Sequence, residues 1–299
     1  MSGGAGAWDG SDVQRQLRVY SDSDEWTPLS SNKLSSLDGI ANENFGSSVS
    51  VSGDYLAVGA VGTNDFQGRV FIYQRLGVTI WRQEYFALLG DDSYTNDFFG
   101  WSCSLSGDAV AVGAYQTMHV QEEKRNSVGA VYIYLRVSAG WINEAFLQVE
   151  RNIDNKNGKN EDKNNHQLVY DHFGWSVSLY KSTLVVGAYG DSTAGTSAGA
   201  AYVFDRYNHV IYSWSCSQKL VPHDGAEYDA FGWSVSLYKN VTAIGAYGHS
   251  SSDLVFNGAV YIFQRMGQSR LHDDVDRLQS WTQTAILLPT DGGNNDFFG

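Results

Sequence analysis

Residues 173–188 read FGWSVSLYKSTLVVGA, and the stretch returns three times, as FGSSVSVSGDYLAVGA at 45–60, FGWSCSLSGDAVAVGA at 99–114 and FGWSVSLYKNVTAIGA at 231–246. Each copy leads to a glycine and an apolar-aromatic run: GRVFIYQR from Gly68, GAVYIYLR from Gly129, GAAYVFDR from Gly199 and GAVYIFQR from Gly258. A Trp-led segment follows, beginning at Trp81, Trp141, Trp214 and Trp281, and a fifth FG stands at Phe298 and Gly299. Within one unit, residues 175–179 alternate large and small side chains with period two, as a half-buried strand does. Residues 183–187 form a short apolar run bounded by turn residues, and residues 200–204 and 214–221 supply a third and a fourth strand. No segment carries a long helical period. The unit is therefore an antiparallel four-stranded meander.

The repeats are too long for a solenoid and suit a blade with long loops, so radial closure as a β-propeller is the expected all-β architecture. The chain divides into blades at 45–98, 99–172, 173–230 and 231–297, with the start of another at 298–299. Residues 13–20 and Trp26 match the third and fourth strands of a preceding unit, making 1–44 a partial blade. If both ends shared one blade, its first two strands would be missing. An incomplete arc is expected, a fragment of a longer ring for which seven blades is the candidate number, with unpaired edges able to self-associate.

Composition narrows the partners. Acidic residues outnumber basic ones 33 to 20, giving a formal charge of −13. Phosphate backbones and anionic lipid are repelled, so neither nucleic acid nor a membrane surface is an expected partner, and cationic partners or metal ions suit the chain better. No apolar run of bilayer length occurs, so no direct membrane insertion is expected within this chain. The opening MSGGAGAWDGSDVQRQ lacks the regions of a secretory signal, which leaves either an intracellular protein or a Met1 that is not the natural start. Cys103 and Cys216 cannot make a disulfide framework, and Cys103 stands where Val177 and Val235 stand in other copies, reading as a small buried hydrophobe.

The FG start, the VGA that ends the second strand and the GAVYIY third strand resemble the FG-GAP repeats of integrin α-subunit propellers and of many secreted or surface proteins. The resemblance covers residues 45–299. It implies a propeller and, from the best-studied members, adhesion or ligand recognition at a cell surface or outside the cell. One departure matters. Calcium-binding members carry a D-x-[DN]-x-[DN]-G type loop between strands one and two, whereas this chain has tight turns at Gly53-Asp54, Gly107-Asp108, Lys181-Ser182 and Lys239-Asn240. It looks like the calcium-loop-less variant, and neither a metal ligand set nor a cofactor is expected.

No catalytic constellation is visible. His119, His166, His172, His209, His223, His249 and His272 are scattered without metalloprotease spacing, and no G-x-S-x-G or phosphate loop accompanies them. The oxygen-rich insertion at 152–165 places Ile153 where a calcium loop needs a carboxylate, and reads as a solvated loop. Asn240-Val241-Thr242 is a glycosylation sequon at a hairpin turn. The expectation is a non-enzymatic module that binds a protein or glycan ligand. The alternatives are the propeller of a phospholipase-type hydrolase and a structural spacer.

Meander geometry places the binding face. Links between strands two and three share one end of the sheets with links from strand four to the next blade, and these are the long, variable segments: 61–67, 115–128, 189–198, 247–257, 151–172, 222–230 and 289–296. Variable loops on a repeated scaffold are where recognition sits. Tyr115, Tyr189 and Tyr247, just past each GA, are the aromatic ligand-binding candidates, and Asp191, Asp224 and Asp229 the acidic ones. Phe45, Phe99, Phe173 and Phe231, with Trp101, Trp175 and Trp233, read chiefly as packing between blades, although a tryptophan at a channel mouth could stack on a sugar ring.

Overall fold

Val177 and Leu179 alternate with Ser176 and Ser178, and the fold uses both sets. The computed structural model describes residues 34–36, 39, 41–76, 80–84, 88–90, 94–117, 128–149, 170–207, 213–251, 255–266, 280–290 and 292–299. It holds four antiparallel four-stranded sheets. The first contains β1 (Phe45–Ser52), β2 (Tyr55–Ala60), β3 (Arg69–Arg75) and β4 (Trp81–Gln83); the second β5 (Ser102–Ser106), β6 (Ala109–Ala114), β7 (Ala130–Val137) and β8 (Gly140–Leu147). The third contains β9 (Ser176–Tyr180), β10 (Thr183–Ala188), β11 (Ala200–Tyr207) and β12 (Ser213–Leu220); the fourth β13 (Phe231–Tyr238), β14 (Val241–Ala246), β15 (Ala259–Met266) and β16 (Ser280–Leu287). Strands lie in chain order within every sheet, as expected of a meander. Residues 63–66 make the only helical turn among the described residues, and Asn64 and Asp65 within it are left-handed.

The core lies between sheets. Phe173, Val177, Leu179, Leu184, Val186 and Phe204 of the third sheet pack against Ala109, Ala111, Val131, Ile133 and Leu147 of the second. A fully buried side chain of this kind contributes about 1.5–3 kcal/mol. The serines on the other face tie each sheet to the next. Ser50 Oγ accepts the Leu105 amide at 2.9 Å, Ser104 Oγ that of Leu179 at 2.9 Å and Ser178 Oγ that of Leu237 at 2.9 Å. First strands consequently stand side by side, β1 beside β5, β5 beside β9 and β9 beside β13, lining the inside of the arc.

The repeated motifs mark the seams. Phe99, Phe173 and Phe231 are buried, and each bridges in parallel to the glycine that opens the third strand of the preceding sheet: Gly68, Gly129 and Gly199. Phe298 bridges to Gly258 in the same way. At Gly187, which ends the VG pair of β10, a Cβ would lie 1.9 Å from the Gly232 carbonyl oxygen, so the backbones of neighbouring sheets meet too closely for any side chain.

Among the described residues the arc is open, as the sequence led us to expect. Leu105, Leu179 and Leu237 are buried at 5–7% exposure, whereas Val51, their equivalent in β1, is 64% exposed. At the other end Leu287 is 47% exposed where its equivalent Leu220 is 1%. Leu34 packs beside Phe45, Val58 and Phe71 as Leu220 packs beside Phe231. The strands expected over 13–20 and from Trp26, and the insertion at 152–165, lie outside the described residues. Strand limits differ from expectation mainly at the third strand: β11 runs on to Tyr207, with Asp205, Arg206 and Tyr207 still paired to Ser215, Trp214 and Ser213 beyond a register shift between Val203 and Phe204.

Candidate functional site

Two recurring positions build a belt at the loop end of the arc: the tryptophan two residues after the FG phenylalanine and the tyrosine just past each GA. Their rings interleave around the inside. Trp101 meets Tyr115 at 4.9 Å between centroids, Tyr115 meets Trp175 at 4.9 Å, Trp175 meets Tyr189 at 4.8 Å, Tyr189 meets Trp233 at 4.9 Å and Trp233 meets Tyr247 at 4.3 Å. The indoles also touch one another, Trp101 to Trp175 at 4.6 Å and Trp175 to Trp233 at 4.7 Å. Tyr115 and Tyr189 thus span the seams between the second and third and the third and fourth sheets, while Tyr247 meets Trp233 within the fourth; tilted and edge-to-face contacts of this kind add about 0.5–1.5 kcal/mol apiece.

The segments entering each blade extend this belt. The residue before the FG phenylalanine has positive φ at Phe98, His172, Ala230 and Phe297, a conformation uncommon for bulky residues. It brings Phe98 to 5.2 Å from Tyr115, His172 to 4.7 Å from Tyr189 in a near-parallel stack and Phe297 to 5.7 Å from Tyr247. Phe66 stacks on the half-buried Phe98 and Phe256 on Phe297, so the exposed side chains of Phe66, Phe256 and Phe297 end the belt. The acid one place earlier closes the turn: Asp97 Oδ2 accepts the Tyr94 amide at 2.8 Å and Asp229 Oδ2 the Ala226 amide at 2.8 Å.

The belt is electrically neutral and its rim acidic. Burial lowers the His172 pKa to about 4, so the imidazole is uncharged at neutral pH, and burial raises the Tyr189 hydroxyl to about 12. Asp65, Asp224 and Glu227 are exposed on the surrounding loops.

The six residues expected at the site therefore separate. Tyr115, Tyr189 and Tyr247 come together in the belt, with Tyr115 buried and the other two half-buried. Asp191 is 1% exposed; it accepts hydrogen bonds from Tyr202 Oη at 2.5 Å, Lys219 Nζ at 2.8 Å and the Thr193 amide at 2.9 Å. Burial pushes its pKa up, but the bonds from Lys219, Thr193 and Tyr202 outweigh this and hold it below the usual carboxylate range. Asp229 is also buried, 3.4 Å from His249 Nδ1. Only Asp224 of the three acids is exposed, and its charge, after the larger effect of burial, helps raise the pKa of Tyr261. Trp101, Trp175 and Trp233 are packed between blades, as expected, yet half-buried rather than sealed, and with His172 they belong to the same surface. Their signal was recurrence beside the tyrosines at a fixed place in the unit.

No curated protein matches the chain. Among solved structures, Saccharomyces cerevisiae Sqt1 is similar at 10% identity and a TM-score of 0.41, over 75% of this chain and 46% of that one. The chain thus spans about half the length of Sqt1. The computationally designed Ika8 protein is similar at 11% identity and a TM-score of 0.27, over 75% and 72% of the two chains. The FG-GAP repeat matches four regions, 29–73, 81–134, 167–204 and 214–263, which together make up more than half of the chain. The matches at 81–134 and 214–263 run from the outer strand of one sheet into the third strand of the next, so these two straddle a seam, whereas the match at 167–204 ends in β11, the third strand of the third sheet. With the repeated seams and the meander sheets, this establishes that the chain belongs to the FG-GAP repeat family.

Proposed function

We propose that the chain is a non-catalytic recognition module, working outside the cell or at its surface, that binds a protein or glycan partner through the loop face. The observation that carries this reading is the aromatic belt: a continuous, partly exposed run of rings on the face with the long loops, ending in the exposed side chains of Phe66 and Phe297. Contiguous aromatic surface of this kind marks interaction sites, and rigid aromatic side chains supply contact area at small entropic cost. The formal charge of −13 and the exposed Asp65, Asp224 and Glu227 favour a cationic partner surface over an anionic one. The buried acids Asp191 and Asp229 hold loops in place.

Screening the purified chain against arrays of glycans and of extracellular protein domains tests the reading. Ligands should be captured by the native chain and lost in the Tyr189→Ala/Tyr247→Ala variant, whose folding is checked by its melting curve. Capture that is equally strong with the double variant would overturn it.

A further inference from the structure

The fourth sheet carries a feature that the loop face does not use. Tyr238 and Val241 pair across the two-residue turn Lys239-Asn240, with Lys239 at φ 54°. The equivalent turns are Gly53-Asp54, Gly107-Asp108 and Lys181-Ser182, so the fourth alone offers an asparagine. Asn240 is exposed and its carbonyl accepts the Arg265 amide at 2.8 Å, while its side-chain amide has no partner among the described residues. Beside it Tyr238 is 63% exposed, with Lys239 Nζ 5.0 Å from the ring centre.

We propose that Asn240 is an N-glycosylation site and that the first sugar rests on the ring of Tyr238. The proposal depends on the extracellular reading given above for the route by which the chain meets the modifying enzyme. Two Cα steps of about 3.8 Å limit the separation of Asn240 from Tyr238, so a sugar on the amide lies within reach of the ring. The negatively polarised ring face attracts the C–H groups of a pyranose. Thr242, the third residue of the sequon, is fully buried and its hydroxyl donates to the Ser236 carbonyl at 3.1 Å. Transfer therefore precedes pairing of β13 with β14. In that step an oligosaccharide linked to a polyprenyl diphosphate loses its C1–O bond, the Nδ2–C1 bond to Asn240 forms, the diphosphate departs with the electron pair and one amide proton passes to a base of the transferase.

The position suits the rest of the molecule. From Trp233 in the belt to Tyr238 the strand advances about 16 Å at its usual rise, so a glycan on Asn240 stands at the turn end and leaves the loop face free. It would also cover Val241, 41% exposed.

The test is translation of the whole chain, supplied with a cleavable leader, into glycosylation-competent microsomes, scoring only protease-protected chains. One glycan is expected on them, removable by peptide N-glycosidase and absent from Asn240→Gln. Protected chains without it overturn the site. The glycosylated chain should melt about 2 °C above its enzymatically deglycosylated form, and Tyr238→Ala should abolish that difference. An unchanged difference in Tyr238→Ala overturns the seating on the ring. Modification in microsomes alongside an unmodified cytosolic protein in its own cells would instead count against the extracellular reading.

Discussion

Replacing Gly187 with alanine puts the seam between the third and fourth sheets to a quantitative test. The new Cβ would lie 1.9 Å from the Gly232 carbonyl oxygen and 2.3 Å from Ser176 Oγ, against ordinary contacts of 3.4 Å or more. The backbone of the fourth sheet must retreat by over an ångström, which breaks the 2.9 Å hydrogen bond from Ser176 Oγ to that carbonyl. Overpacking of this kind costs about 1–3 kcal/mol and the lost hydrogen bond about 1 kcal/mol. The sum, about 3 kcal/mol, corresponds to a Tm lower by about 6–12 °C for a chain of this size. Gly107→Ala is the control: φ is +60° but nothing lies within 4 Å of the added carbon, leaving only the left-handed backbone, at about 1 kcal/mol. Lys181 and Lys239 hold the same place at φ 55° and 54°, so the turn accepts a side chain. Thermal melts of both variants by circular dichroism measure the contrast. A Gly187→Ala protein no less stable than Gly107→Ala would refute the claim that the VGA glycine exists to let two sheets touch.

Burial lowers the His172 pKa to about 4, beneath its unfolded value, so the folded state resists protonation and its stability should fall as pH drops from about 6.5 towards 4. Tm measured across this range should lose part of that slope in His172→Phe; an identical slope contradicts the assignment. Arg265 Nη2 holds both oxygens of Asp205 at 2.6 Å across the seam between the third and fourth sheets, and its guanidinium lies 5.0 Å from the Trp281 ring centre. Arg265→Ala should destabilise by about 2 kcal/mol in urea unfolding, with Arg265→Lys intermediate because it keeps the charge but loses the planar guanidinium over the Trp281 ring. Cys216 is exposed and Cys103 is a half-buried thiol whose pKa burial raises to about 11, so a thiol reagent at neutral pH should label Cys216 quickly and Cys103 slowly. Equal rates, read by mass spectrometry, would contradict the packing of β5.

The fold was legible because its information is local and repeated. The period-two alternation at 176–179, the two-residue turns and the glycines of the seams each state one geometric need, and each recurs. The open arc was legible from unmatched strand patterns, and the exposed side chains of Val51 and Leu287 give it physical form. The site was legible only in part. Tyr115, Tyr189 and Tyr247 follow from the loop rule, since residues just past the second strand must face the loop end. Their interleaving with Trp101, Trp175 and Trp233 depends on how far neighbouring sheets rotate, which no linear pattern records. Asp191 and Asp229 looked available because carboxylates in loops usually are. Their partners Tyr202, Lys219 and the Ala226 amide arrive by folding, from another strand or from a turn that has to close.

The claim at the centre of this account is that the FG-GAP arc recognises its partner with the loop face. Its most direct test is the affinity of a captured ligand for two sets of variants. Tyr189→Ala, Tyr247→Ala and Asp224→Ala alter the loop face; Asp54→Ala, Lys181→Ala and Lys239→Ala alter the turns. Tenfold or greater weakening, about 1.4 kcal/mol, should appear for the two tyrosines and be absent from every turn variant. Losses that cluster at Asp54, Lys181 and Lys239 while the two tyrosines stay silent would contradict it.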